Sequence, residues 1–75
     1  MSISILSLPK GQPAALDALE GEAMLTERLL DMGLHPGVEV ELVERMPFRG
    51  PVIVRAEASI FALREEEAQC LKIKS

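Results

Sequence analysis

Residues 27–50 read ERLLDMGLHPGVEVELVERMPFRG, and this stretch decides the fold. It holds the end of a helix, a stop, a turn, a strand and a second turn. Gly33 ends the helical pattern where a left-handed cap is wanted, and Leu34 after it can pack back on the last turn. Pro36-Gly37 supplies turn chemistry. Val38, Val40 and Leu42 then alternate with Glu39, Glu41 and Val43, the period of a half-buried strand over 38–46. Glu44 interrupts the apolar face that Met46 resumes, so the pattern predicts a twist, a bulge or a barrel rim there. Pro47-Phe48-Arg49-Gly50-Pro51 reads as a hairpin connection longer than two residues.

Upstream, Leu25, Leu29 and Met32 recur at helical spacing, so residues 22–32 are expected to form an amphipathic helix. Its apolar stripe is read as core. Residues 12–19 are Ala-rich, but Pro13 and Gly21 leave room only for a short element, which we read as a strand. Residues 2–8 suggest an edge strand or an ordered arm. Downstream, residues 52–54 and 60–63 are expected strands joined through a turn at Glu57-Ala58-Ser59. Residues 64–69 suit a turn or two of helix, and Leu71-Lys72-Ile73-Lys74 alternates as a closing strand. The sum is a mainly β domain with one or two short helices. Many short strands with little room for crossovers point to a small barrel.

A chain of 75 residues makes one domain with a thin core. With no Trp or Tyr and only two Phe, that core must be built from aliphatic side chains. The net charge is −4, and the eight basic residues are dispersed, which argues against binding phosphate backbones. No apolar run approaches the roughly 20 residues of a membrane span. No signal peptide is read at the start, so a soluble, cytoplasmic protein is expected. The lone Cys70 cannot form an internal disulfide and, between Ala68 and Leu71, reads as a small core residue.

The residues contain no catalytic constellation. His35, the one histidine, is read as a surface turn residue. His35 and Cys70 are the sole weak metal candidates, far apart in sequence and short of a zinc pattern, although two molecules could share a site. Glu39 and Glu41 share a strand face, and Glu65-Glu66-Glu67 opens the short second helix; both sets are read as solvated. Ser59 has no nearby base, and the five glycines form no phosphate-cradling loop. A binding protein without enzymatic activity is therefore expected.

The ordered set RLLDMGL (28–34), Pro36-Gly37, the strand 38–43, Pro47 and Pro51, Ala62-Leu63-Arg64 and Glu67-Ala68 resembles the FeoA family over about residues 8–73. The resemblance implies a small SH3-like β-barrel with the helix inserted after the first barrel strand. It implies a role as accessory protein in bacterial ferrous iron transport. The implied partner is the FeoB-type membrane permease with its cytosolic GTP-binding domain, acted on through its nucleotide cycle or its assembly. The same barrel is similar to the C-terminal domains of DtxR-type iron-dependent repressors, but with no DNA-binding domain expected before it, that function is not expected to carry over. Two places depart from the family pattern: Ala15 and Ala18 in the first strand, and Glu57-Ala58-Ser59 where a Gly-containing turn is common.

The partner surface expected from this reading comprises the helix end and following turn, Arg28, Met32, Leu34, His35 and Pro36, with the hairpin residues Arg45, Pro47, Phe48 and Arg49, and Arg64. Phe48 is either a buried plug or an exposed anchor. The alternative function is a soluble ferrous-iron carrier or sensor. No cofactor is assigned beyond weak Fe²⁺ or adventitious Zn²⁺, and the oligomeric state, a homo-oligomer included, is left open.

Overall fold

A computed structural model describes residues 2–74. Strand β1 is Ser2–Ser4, followed by a 3-10 turn at Ile5–Ser7; β2 is Ala14–Leu19; helix α1 is Ala23–Asp31; β3 is Glu39–Arg45. Strands β4 (Val52–Ala56) and β5 (Ser59–Leu63), helix α2 (Glu65–Ala68) and β6 (Leu71–Lys74) complete the chain. The strands form one antiparallel sheet in the order β1-β6-β2-β3-β4-β5. The mainly β expectation holds, the Ala-rich segment included: Ala14 and Ala15 pair with β3, and Leu16, Ala18 and Leu19 pair with β6. Register outweighs Ala helix propensity at this site.

The alternation seen in the sequence sorts the core. Leu16, Val40, Leu42, Val52, Val54, Leu63, Leu71 and Ile73 are buried on the inner face of the sheet. Ile5, from the 3-10 turn, and Leu29, from α1, are also fully buried in this cluster. Helix α1 ends as expected. Gly33 lies at φ +94°, its N–H bonds Leu30 O at 2.9 Å, and the Leu34 N–H bonds Leu29 O at 3.0 Å. This pair of bonds is a Schellman motif, and its hydrophobic partners, Leu29 and Leu34, are both fully buried.

The break at Glu44 is a β-bulge. Leu42 pairs with Val54, but Glu44 pairs with Ile53, so Val43 has no partner of its own. The shift turns Glu44 outward with Ile53 instead of driving a carboxylate into the core. It also leaves Arg45 opposite the buried Val52, at the inner rim of the sheet.

Candidate functional surface

The β3–β4 connection is built from a strained turn. The Met46 N–H bonds Pro51 O at 3.1 Å, and the Gly50 N–H bonds Pro47 O at 3.0 Å. Between them Phe48 and Arg49 both adopt φ +58°. Two consecutive left-handed residues match the primed hairpin turns, which favour Asn-Gly; a Phe-Arg pair costs on the order of 1 kcal/mol per residue there. Gly50 is needed for space rather than for φ: a Cβ there would lie 2.9 Å from Met46 Cβ. The outcome is a Phe48 side chain that is 100% exposed, beside a partly exposed Met46. Of the two readings of Phe48, the buried plug is ruled out by this exposure.

Helix α2 lies beside this turn. Arg49, Glu65, Glu66 and Gln69 line an open depression of about 480 Å³. A second depression, lined in part by Arg49, Pro51, Ala62 and Arg64, adjoins it. Arg45 at the end of β3 reaches Glu65 at 3.6 Å, tying the hairpin stem to α2. Glu67 is not solvated as the sequence reading had it: it is only 6% exposed. Its Oε1 accepts the Arg64 N–H at 2.8 Å, and its Oε2 lies 3.7 Å from Arg28 Nε. An Arg at the N-cap has no acceptor to return, so only the Glu67 half of a capping box forms.

The expected partner residues therefore divide. Arg28, Arg45, Phe48, Arg49 and Arg64 belong to the hairpin, α2 and the α1 face tied to it, with Pro47 exposed at the start of the turn. His35 and Pro36 are exposed at the opposite end of β3, whose seven residues span about 20 Å. The Nδ1 of His35 donates to Pro36 O at 3.1 Å. Met32 is half-buried, and Leu34 is a core residue of the Schellman motif, so it offers nothing to a partner. Sequence reasoning missed Glu65 as the tether of Arg45, although a carboxylate at the start of a helix after Arg64 was a visible signal.

The other candidates lose their chemistry to structure. Glu39 and Glu41 are not simply solvated. Arg55 Nη2 on β4 reaches Glu41 Oε1 at 2.8 Å and Glu39 Oε1 at 3.3 Å. These bonds hold the guanidinium pKa above its usual value. Arg55 also donates to Glu57 O at 2.8 Å. That bond supports Glu57 at φ +54° in the two-residue turn before β5, the place where a glycine is common. Cys70 is buried, and burial, its largest influence, pushes its thiol pKa up. Among the described residues no three His, Cys, Asp or Glu side chains cluster as a metal site. No helix there is long and apolar enough to cross a membrane.

A family model for the FeoA domain matches residues 3–75. The chain belongs to the FeoA family. This family is associated with ferrous iron transport. No match is found among curated proteins. Among solved structures, the FeoA of Stenotrophomonas maltophilia, described as complexed with zinc and as a prokaryotic SH3 domain protein, is 27% identical. That likeness covers 99% of this chain and 89% of the other, with a TM-score of 0.77. An iron uptake regulatory protein (FeoA) is 23% identical with a TM-score of 0.83, covering 99% of this chain and 97% of that one. A manganese-dependent transcriptional repressor matches with a TM-score of 0.86 at 13% identity. The match covers 99% of this chain but 41% of the repressor, and it shows a shared fold alone. The small SH3-like architecture expected of a FeoA domain is thus the one found.

Proposed function

We propose that this chain is a non-enzymatic accessory protein of ferrous iron uptake, acting in the cytoplasm on the cytosolic part of a FeoB-type permease. The β3–β4 hairpin is its docking element, with Phe48 as the anchor and Arg45, Arg49 and Arg64 around it. Membership of the FeoA family supports the transport role. The observation that carries the docking surface is Phe48, fully exposed on a turn whose two central residues are both left-handed. Folding gains nothing from an aromatic there, and strain kept at a surface turn is a mark of function. A rigid aromatic flanked by Arg is the composition of interface hot spots.

Titration with the permease's GTP-binding domain, with and without guanine nucleotide, tests the reading. Phe48→Ala is expected to weaken binding by about tenfold or more, as truncating an anchor does. Wild-type chain that fails to bind in either nucleotide state overturns the partner. An unchanged affinity for Phe48→Ala overturns the surface.

A further inference from the structure

Strand β5 ends the sheet with an unprotected edge. The Glu57 N–H bonds Glu39 O at 3.1 Å, which sets the phase of β4: Arg55 turns its backbone toward β3, and Val52, Val54 and Ala56 turn theirs toward β5. Their partners Leu63, Phe61 and Ser59 are thereby satisfied. Ile60 and Ala62 are left with their N–H and C=O groups facing outward, one donor and one acceptor each. The edge has none of the usual protection. Ser59-Ile60-Phe61-Ala62-Leu63 carries no charge and no proline, and Ile60 is 60% exposed.

We propose that β5 pairs with β5 of a second copy of this chain, antiparallel, with the two-fold axis through Phe61. That register sets Ile60 of each copy against Ala62 of the other, so every outward N–H meets an outward C=O. Phe61 meets Phe61 between them, the closer, non-hydrogen-bonded kind of pair that suits aromatics. The register is also self-limiting. Beyond Ala62, the Arg64 N–H is already taken by Glu67 Oε1 at 2.8 Å.

Charge complementarity at the ends of the strand points to the second copy. The net charge of −4 on each chain opposes association, and β5 itself is a neutral strip that adds nothing to that repulsion. Its ends carry opposite charges, Glu57 before the strand and Arg64 after it, and among the described residues neither has an ion-pair partner. The two-fold places Arg64 opposite Ala58 of the second copy and beside its Glu57, twice over. Glu65, which would repel Glu57 there, is engaged by Arg45 at 3.6 Å. A single short ribbon falls below the roughly 1,600 Å² of a standard interface, so the dimer forms reversibly and weakly.

Sedimentation equilibrium of the full chain, from micromolar to millimolar concentration, tests this together with amide exchange. A monomer–dimer equilibrium is expected, with the Ile60 and Ala62 amides gaining protection as concentration rises and the Phe61 amide unchanged. Ile60→Lys is expected to weaken the dimer by about tenfold or more. Glu57→Lys alone and Arg64→Glu alone also weaken it, and the two together restore it. A chain monomeric throughout this range overturns the proposal, as does a dimer indifferent to Ile60→Lys. A monomeric chain whose Ile60→Lys variant loses only the permease domain assigns the edge to a foreign strand and equally overturns self-pairing. Phe48 is fully exposed and takes no part in this register, so failure here leaves the hairpin reading to its own test.

Discussion

Glu67 and Arg64 are joined three residues apart: the buried carboxylate accepts the Arg64 N–H at 2.8 Å and so starts α2. The same side chain carries the Arg28 contact from α1. Glu67→Ala leaves that N–H unpaired and opens a small gap, and is expected to cost about 1–2 kcal/mol in urea unfolding. Glu67→Gln keeps an acceptor and is expected to cost less than half as much. Equal losses for the two would show that burial, not capping, is what Glu67 supplies.

Gly21 and Cys70 fit as a pair. A Cβ on Gly21 would lie 2.6 Å from the Cys70 Sγ, inside any real contact, and 3.7 Å from its Cβ, an ordinary one. Gly21→Ala is expected to destabilise the chain by about 1–3 kcal/mol through overpacking. Cys70→Ala should relieve only the steric part of that, since Gly21 lies at φ +158°, where any L side chain is strained. A double-mutant cycle of unfolding free energies separates the two contributions. With its thiol pKa raised by burial, Cys70 should also resist alkylation until the chain unfolds.

The strained turn predicts a trade of function for stability. Replacing Phe48-Arg49 with Asn-Gly gives the turn its preferred residues, and the gain is expected to be about 1 kcal/mol, a few degrees in Tm. The same variant should lose the permease domain in titration. A replacement that leaves Tm where it was would mean the turn is not strained.

The Lys10–Glu44 pair sets a small acid dependence. The Lys10 hydrogen bond at 2.9 Å, then the Arg45 N–H, hold the Glu44 carboxyl below the usual carboxylate range. A folded-state pKa below the unfolded one adds stability at neutral pH that is lost as pH falls through the folded value. Wild type and Glu44→Gln should therefore differ in urea midpoint at neutral pH and converge in acid. High salt should shrink the neutral-pH difference, because both groups are exposed.

Local features were legible in the sequence because local rules made them. Gly33 and Leu34 formed the helix stop, and the alternation of Val38, Val40 and Leu42 matched the inner face. Even the bulge showed as a carboxylate out of phase. The non-local pairs were not legible. Glu39 and Glu41 look solvated until register puts Arg55 opposite them, and Glu67 looks solvated until α1 covers it. The expected partner surface split for the same reason. His35 and Phe48 are thirteen residues apart in the chain, but the extended β3 lies between them and sends them to opposite ends.

Val43 shows that a position can matter without its side chain mattering. It has no partner across the sheet, and its side chain is exposed. A chain lacking it would keep Leu42 against Val54, Glu44 against Ile53 and Arg45 against Val52. Only the extra bend and twist of a bulge would go, and with them the aim of the hairpin that carries Phe48. A substitution at 43 changes only an exposed side chain, whereas a gap there changes the direction in which the hairpin leaves the sheet. The information there is a matter of length, so a comparison of FeoA chains that scores substitutions alone would pass over it.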